Sequence, residues 1–538
     1  MNECLYNDSS LFELNRRIDE LIAENKDKLH KTGKIGTKTW WKYVDNITNR
    51  KKVSRPCLEE DEVIKLNEYF GKLCYDDNYE KPTDVVIDTN IKIPQISESQ
   101  VFRALSTVKQ TATGPDGIPY WLWKDFADLL TPVVRKCWNQ SLQSCTWPDK
   151  WKESNINPLP KVDIPTEDSH YRGLNVTAVI ARLFERTVYR SYCIDSFEKH
   201  LDTTQFAYRR GGSSTNALVK FQHSVTSALD SPDCRAVRVF SMDFSKAFDL
   251  VKHKDLSEKL KVLDLNPYLI NWYNSFLYNR KQRVICNNHI TDWNNVNRGT
   301  TQGSVSGPYL FSVFINDLNI TDSNGNSVLV KYADDTTIIS PVTLRDNVII
   351  DNSATYVRKF LEWTDWNFMK CNPSKCKEII FRKKQSVKDV YDLISNIPQT
   401  SNLKLLGITF QSNNRFDLHV KNILSYNNKA LFVLRSLRKE GATPNEVQHL
   451  FKSIILPRLT YGLIVYGSSP PELSSVQNYL DRCHKRKYIL DKINIYNLIN
   501  EFDNRLFNTI KEQIEHPLYN ILPRLKVSKY HLRKKSTV

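Results

Sequence analysis

Hydrophobic positions recur with a helical period in the first part of the chain. Residues 57–74, CLEEDEVIKLNEYFGKLC, place apolar side chains three and four residues apart, which predicts one buried helical face. Ser97 and Gln100 form a capping-box pattern ahead of an apolar run, so a helix is predicted to begin there. Another amphipathic helix is predicted to follow Ser214 or Thr215, either of which is a suitable N-cap. This part of the chain is therefore predicted to be rich in helices.

The pattern changes to that of strands near residue 234. The run CRAVRVFSMDF over residues 234–244 predicts a strand that carries Asp243 near its C-terminal end. Residues 327–342, SVLVKYADDTTIISPV, hold two β-rich runs that meet at Asp334 and Asp335, which predicts a hairpin with both acids at its tip. Further strands are predicted at CKEIIF and LKLLGITF, and the helical period returns from about residue 416. This order predicts an α+β fold with a separate helical C-terminal unit.

Composition adds a charge to this picture. The 538 residues predict two to four domains or subdomains, and 40% hydrophobic with 25% charged residues is typical of globular proteins. The net charge of +16 favours a polyanionic partner such as nucleic acid over a merely soluble basic protein. The basic residues cluster in residues 31–56, where they flank Trp40 and Trp41, and again in the last 23 residues. Both stretches fit phosphate contacts, and both fit a solvated linker or tail.

Cysteines and apolar runs predict a reduced, intracellular protein. The 11 cysteines are scattered, and the pair Cys371 and Cys376 lacks the spacing of a zinc site. An odd number of cysteines favours free thiols. The polar start MNECLYNDSS does not have the form of a signal peptide, and no run reaches the roughly 18 to 20 apolar residues of a membrane span.

Three carboxylates are predicted to stand at the ends of strands. Asp243, Asp334 and Asp335 are all expected to be ionised at neutral pH, so bringing them together requires a counter-charge. Hard oxygen ligands with room for phosphate oxygens suit Mg²⁺ better than zinc. A plain β-turn remains the alternative reading of the acidic pair alone.

Three motifs in order resemble one family. YADD in the predicted hairpin, preceded by SMDFSKAFDLVKH and GTTQGSVSGPYLFSVFINDL, resembles the reverse transcriptases of non-LTR (LINE-type, jockey-like) retrotransposons from about residue 95 to residue 490. The resemblance implies a right-hand polymerase with fingers, a palm with an antiparallel sheet, and a helical thumb. We predict a helical and basic N-terminal extension and linker over residues 1–94, interleaved fingers and palm over 95–415, a thumb over 416–490 and a basic tail over 491–538.

The resemblance also implies roles for the palm residues. Asp243 and Asp334 would bind two catalytic Mg²⁺ ions, for which Mn²⁺ is a possible substitute. Asp335 would lie beside them as a further ligand, and the backbone carbonyl of Phe244 would complete the set. Phe248 would crowd a ribose 2′-hydroxyl and so favour deoxynucleotides, although a core phenylalanine is the alternative.

Further roles follow from the same resemblance. Gln302 and Gly303 would lie in a turn that approaches the incoming nucleotide and the template base. Lys161 and Arg172 would reach the triphosphate, since lysine offers a point charge and arginine a bidentate contact. Lys375 would lie near the leaving pyrophosphate and protonate it. The alternative for Lys161 is ordinary surface charge, and the alternative for Lys375 is a lysine that protects a strand edge from unwanted pairing.

The primer-grip position is implied at Leu406 and Gly407, with Gly407 at the bend. The chain departs from the family pattern beside the nucleotide-binding turn, where it has Thr301 in place of a hydrophobic residue and Ser306 in place of leucine. These departures put the performance of this chain in doubt.

The implied activity is RNA-directed DNA polymerisation on an RNA template with a DNA primer, an RNA–DNA hybrid and dNTPs. Such a protein would act in the nucleus on chromosomal targets, with an endonuclease domain that is separate or missing. The alternatives are a catalytically degenerate or domesticated RNA-binding scaffold, and an intron maturase or telomerase-type reverse transcriptase.

Overall fold

The structure is a computed structural model that describes residues 34–48, 58–320, 327–372, 374–383 and 389–523, with a few helical positions between residues 13 and 24. Its helices in these ranges are α1 (Lys38–Thr48), α2 (Glu60–Leu73), α3 (Glu98–Ser106), α4 (Tyr120–Asp125), α5 (Ala127–Gln143), α6 (Val179–Val188), α7 (Ile194–His200), α8 (Ser214–Asp230), α9 (His253–Lys261), α10 (Pro267–Leu277), α11 (Gly307–Phe314), α12 (Ser353–Trp366), α13 (Asp417–Lys439), α14 (Pro444–Leu450), α15 (Leu456–Thr460), α16 (Leu463–Tyr466), α17 (Pro470–Lys485) and α18 (Ile495–Glu512).

The strands lie between these helices. They are β1 (Glu153–Pro160), β2 (Tyr171–Val176), β3 (Cys234–Met242), β4 (Arg280–Cys286), β5 (His289–Ile290), β6 (Asn294–Val296), β7 (Val328–Tyr332), β8 (Asp335–Arg345), β9 (Val348–Ile350), β10 (Lys377–Arg382), β11 (Asn402–Leu405) and β12 (Ile408–Gln411). The predicted α+β class is confirmed.

Two main sheets and a hairpin organise the strands. One sheet has the order β10–β3–β8–β7 with β9 paired to β8, and every pairing in it is antiparallel. A second sheet has the order β2–β1–β4–β5 with β6 paired to β4, and β1 runs parallel to β4. The strands β11 and β12 form a separate hairpin. The first sheet has the antiparallel character expected of a palm, and we call it the palm sheet.

The palm sheet lies between two hydrophobic cores. Side chains alternate between the two faces of a strand. Strand β3 therefore places Phe240 and Met242 in one core, which we call the first core, and Val237 and Val239 in the other, the second core. In β8, the neighbours Ile338 and Ile339 divide in the same way. Burial on both faces explains why these strands read as nearly continuous apolar runs. It also makes their ends rigid places from which to present charged side chains.

Helix starts largely follow the sequence signals. The Ser97 side chain accepts a hydrogen bond from the backbone N–H of Gln100, whose own side chain returns to the Ser97 backbone, so the predicted capping box is confirmed. The prediction for α8 is wrong by one residue. Ser213 is the N-cap there, and its hydroxyl accepts from the N–H of Asn216, because the helix already includes Ser214.

The N-terminal helix α1 packs onto the C-terminal helices. Trp40 is 1% exposed and belongs to the second core, and its indole N–H donates to the Glu446 carboxylate at 3.0 Å. Neither reading of Trp40 from the sequence, as a phosphate contact or as part of a solvated linker, predicted this buried position. The division into four domains stays a prediction, although residues 495–512 of the predicted tail form α18, with Ile495 and Ile510 buried. Its amphipathic spacing was hidden by the tail's overall basic composition.

Among the residues that the structure describes, no helix combines the length and apolar character that crossing a membrane requires.

Candidate active site

The tip of the β7–β8 hairpin carries the acidic pair. Tyr332 pairs with Asp335, so Ala333 and Asp334 form a two-residue turn. Ala333 has φ of 56°, in the left-handed region that residues other than glycine rarely adopt. A positive φ at the first turn residue matches the twist of the flanking strands, and the backbone N–H of Ala333 donates to the Gln205 side chain at 3.2 Å. Tertiary contact thus holds the strained turn that carries Asp334.

The end of β3 lies beside this tip. Met242 is the partner of Thr336 in the β3–β8 ladder, so Asp243 leaves the sheet next to the acidic pair. The Asp243 side chain is 35% exposed, and its Oδ2 is buried without a hydrogen-bond partner. The closest cation is the Lys375 ammonium, 3.9 Å from that oxygen. The structure therefore brings Asp243, Asp334, Asp335 and Lys375 to one place.

These carboxylates disfavour one another's ionisation. Burial raises the pKa of Asp243, Lys375 opposes the shift, and the charge of Asp334 adds to it. For Asp335, the loss of water to the surrounding protein is the larger cause and the charges of Asp334 and Asp243 are the smaller ones, and together they raise its pKa to about 6. Burial also raises the pKa of Asp334, against the opposing charge of Arg172.

An unpartnered buried carboxylate oxygen beside two further acids fits divalent cations, because cations would relieve this repulsion. In the described ranges, no group of three or more histidine, cysteine or acidic side chains is already drawn together as a metal site.

The backbone of Phe244 is held by a neighbouring segment. Phe244 and Cys371 form an isolated antiparallel bridge, whose hydrogen bonds run from the Ser245 N–H to the Lys370 carbonyl and from the Asn372 N–H to the Asp243 carbonyl. This bridge does not use the carbonyl of Phe244. That oxygen is the one implied as a further metal ligand.

Phe248 lies in a short 3₁₀ turn (Ala247–Asp249) after β3. Its ring centroid lies 4.4 Å from that of Phe311 in α11, and the side chain is half-buried against the first core. Its backbone carbonyl accepts a hydrogen bond from the N–H of Thr300 at 2.8 Å. Phe248 therefore packs against the core and keeps part of its side chain accessible.

The Gln302–Gly303 turn is built against β2. The Gln302 carbonyl accepts from the N–H of Asn175 at 2.9 Å. Gly303 has φ of 108°, and a Cβ there would lie 2.7 Å from the Asn175 carbonyl oxygen. Only glycine allows this close approach. On the other side of the turn, the buried carboxylate of Glu185 accepts from the N–H of Ser306, which precedes α11.

A cluster of cations faces the carboxylates. Lys161 directly follows β1 and Arg172 lies in β2. The pKa of Lys161 is lowered first by burial and then by the charges of Arg172, Lys246 and Lys375. Asp249 lies among these cations, where burial raises its pKa to about 6 against their opposing effect. The Lys161 ammonium donates to the Ser169 carbonyl at 2.9 Å.

The β11–β12 hairpin approaches from the other side. Leu406 and Gly407 have φ of 43° and 89°, which is the pattern of a tight hairpin turn. The Tyr461 hydroxyl donates to the Leu406 carbonyl at 2.6 Å and so braces the tip. Leu406, Lys404 and Asp335 line one cavity of about 60 Å³. Leu406, one of the two predicted primer-grip residues, thus lies across one cavity from Asp335.

Sequence reasoning missed several residues of this site. Lys246 joins the cation cluster and donates to the Tyr69 hydroxyl at 2.5 Å. Its only signal was its position in SMDFSKAFD, between two acids. Glu185 lies in an apolar helical stretch, where a lone buried acid was the available signal. The thiol of Cys376 accepts from the Asp243 N–H at 3.4 Å, whereas the cysteine pair was considered only as a zinc site.

Comparison with known proteins shows which family this part of the chain resembles. Residues 160–410 match the family model described as reverse transcriptase (RNA-dependent DNA polymerase). The chain carries a reverse transcriptase domain. It is similar to the probable RNA-directed DNA polymerase from transposon X-element of Drosophila melanogaster, with 28% identity over 62% of this chain and 38% of the relative. It is also similar to the RNA-directed DNA polymerase from mobile element jockey of the same species, with 28% identity over 61% of this chain and 37% of the relative.

Other similarities are weaker. A Pol polyprotein from the type-1 retrotransposable element R2 of Popillia japonica shares 24% identity over 47% of this chain and 42% of that protein. Telomerase from Candida tropicalis in complex with a fragment of telomeric RNA aligns over 77% of this chain and 65% of that one, with 11% identity and a TM-score of 0.38. The predicted resemblance to jockey-like reverse transcriptases is confirmed. The chain spans less than two fifths of the length of the X-element and jockey relatives.

Proposed function

We propose that this chain is an RNA-directed DNA polymerase that extends a primer 3′-hydroxyl with dNTPs on an RNA template. The observation that carries the proposal is the meeting of Asp243 with the Asp334–Asp335 tip, where an unpartnered buried oxygen faces a cluster of cations. Carboxylates on one side and cations on the other suit a substrate that presents both a triphosphate and bound metal ions.

Each group has a role in that reaction. Asp243, Asp334 and the Phe244 carbonyl would hold two Mg²⁺ ions, with Asp335 beside them. Such ions lower the pKa of a primer hydroxyl and neutralise charge on the triphosphate. Lys161 and Arg172 bind the triphosphate, and Lys375, whose exposed ammonium lies near Asp243, delivers a proton to the departing pyrophosphate.

Other residues position the substrates. The Gln302–Gly303 backbone aligns the nucleotide with the template base, and the Leu406–Gly407 tip supports the primer end. Phe248 crowds the 2′ position of the incoming sugar. The net charge of +16 favours binding of the template and hybrid through their phosphates, which makes binding sensitive to salt.

The test is primer extension on a primed RNA template with dNTPs and Mg²⁺. Wild-type protein should extend the primer, Asp334→Asn should abolish extension, and Asp335→Asn should reduce it less. Asp128→Asn, at an exposed acid of α5, is the matched control and should behave as wild type. Equal extension by wild type and Asp334→Asn would falsify the assignment.

Two further measurements separate the alternatives. A degenerate scaffold would bind RNA in a filter assay without extending a primer, whereas the polymerase does both. Phe248→Ala should admit ribonucleotides more readily, and unchanged discrimination between dNTP and NTP would remove the gating role. Because Phe248→Ala also loses the ring contact with Phe311, the rate of NTP incorporation by this variant is divided by its own rate of dNTP incorporation.

A further inference from the structure

A segment that follows α12 is hydrogen-bonded to the chain at the end of β3, where Asp243 lies. This clasp segment (residues 370–372 and 374–376) makes backbone hydrogen bonds from the Ser245 N–H to the Lys370 carbonyl at 2.7 Å and from the Asn372 N–H to the Asp243 carbonyl at 2.8 Å. A third bond runs from the Asp243 N–H to the sulfur of Cys376 at 3.4 Å. The backbone position of Asp243 therefore depends on the clasp segment.

The clasp segment brings two thiols together. The sulfur atoms of Cys371 and Cys376 lie 3.4 Å apart, and neither cysteine is in a disulfide. Cys376 is buried, whereas Cys371 is partly exposed. The sulfurs need to approach by only about 1.3 Å to reach disulfide bonding distance. The pair is therefore placed for intramolecular bond formation.

We propose that Cys371 and Cys376 are an oxidation site, at which a peroxide converts the two thiols to a disulfide and thereby slows polymerisation at Asp243. Hydrogen peroxide transfers one oxygen to the accessible Cys371 sulfur, which gives a sulfenic acid and one water. The Cys376 sulfur then attacks the Cys371 sulfur, the S–O bond breaks, and the hydroxyl leaves as a second water with the thiol proton. Two thiols are oxidised while one peroxide is reduced to two waters, and a dithiol reductant reverses the change.

The same sulfur serves two purposes. Cys376 accepts the Asp243 N–H, so drawing it towards Cys371 changes that hydrogen bond and shifts the strand end. Catalytic groups must be held within about 0.5 Å of the productive geometry. Since a displacement near 1 Å can cost roughly 100-fold, the oxidised protein should extend a primer at least about 10-fold more slowly.

Peptide mapping tests the chemistry without reference to activity. Full-chain protein is treated with hydrogen peroxide, its remaining thiols are alkylated, and trypsin then cleaves after Lys370, Lys375 and Lys377. Residues 371–375 (CNPSK) and 376–377 (CK) become separate peptides that only a disulfide can join. A joined pair in the oxidised sample, separated by dithiothreitol, is the expected result. Two separately alkylated peptides would overturn the proposal.

Primer extension tests the consequence, and this arm rests on the proposed function. Each protein's rate after peroxide is divided by its own rate in dithiothreitol. Wild type should fall at least about 10-fold and recover with dithiothreitol, whereas Cys371→Ser should keep its rate. Cys137→Ser, at an exposed cysteine of α5, should lose and regain activity as wild type does.

The outcomes distinguish the two hypotheses. A wild type that extends no primer in dithiothreitol contradicts the proposed function, while the peptide map still decides whether the disulfide forms. Joined peptides with an undiminished rate, or an equal loss in Cys371→Ser, would overturn the link between the disulfide and Asp243.

Discussion

Replacing Gly303 by alanine should damage nucleotide binding through a contact that is measurable in the structure. The added Cβ would lie 2.7 Å from the Asn175 carbonyl oxygen and 3.2 Å from Leu174 Cδ1. A carbon and a carbonyl oxygen normally stay at least about 3.3 Å apart, so the turn must move by about 0.6 Å. The φ of 108° also lies outside the regions open to alanine. Together these effects cost about 1–3 kcal/mol at the turn.

The assay is single-nucleotide addition to a primed RNA template, with kcat and KM measured for the dNTP. A loss of about 1–3 kcal/mol corresponds to a fall in kcat/KM of about 5- to 150-fold. Gly117→Ala is the control, since Gly117 also has a positive φ, of 70°, but has no atom within 4 Å of the added Cβ. It should change kcat/KM by less than about 2-fold. Unchanged kcat/KM in Gly303→Ala, or an equal loss in both variants, would refute the reasoning.

Three other perturbations test the surroundings of the site. Glu185→Leu leaves the buried N–H of Ser306 without its acceptor, so the KM for the dNTP should rise by about 5-fold or more. Glu185→Gln keeps an acceptor oxygen, so its KM should stay near that of wild type. Equal KM values for the two variants would contradict this role. Burial lowers the pKa of His253 to about 4, so the unfolded chain binds this proton first and stability falls as pH drops from about 6.5 towards 4. Melting temperatures of His253→Gln should therefore depend less on pH over that interval, and an unchanged pH dependence would exclude this group as a contributor. Trp40→Ala should lower the free energy of unfolding by about 3–5 kcal/mol and lower the melting temperature markedly. Trp121→Ala, at a side chain that is 48% exposed, should change the melting temperature little. Similar melting temperatures for the two variants would place Trp40 outside the core.

Local signals predicted the palm well. The alternation around Asp334 specified a hairpin, and the capping box at Ser97 specified a helix start, because both depend on residues adjacent in sequence. The meeting of Asp243 with the acidic pair followed from the order of the motifs. It required only that two strand ends come together in one sheet.

Long-range partners could not be predicted in this way. Arg238 lies inside a strand that reads as apolar, and its guanidinium is buried between Glu378 and Asp351 at 2.6 and 2.8 Å. The residues next to Arg238 in the sequence give no indication of which acids it pairs with. Trp40 likewise reads as part of a basic, solvated stretch until α14 is placed over it. Such contacts depend on packing that only the folded chain defines.

The contact between Trp40 and Glu446 has a consequence for synthesis on the ribosome. The two residues are separated by 406 positions, so at about 5–20 residues per second α1 would wait roughly 20–80 s for its partner helix to be made. During that interval the indole and its apolar neighbours have no native surface to cover them. Helix α1 therefore stays without its native partner surface until α14 has been made, and a pause in translation before residue 446 would prolong that exposure.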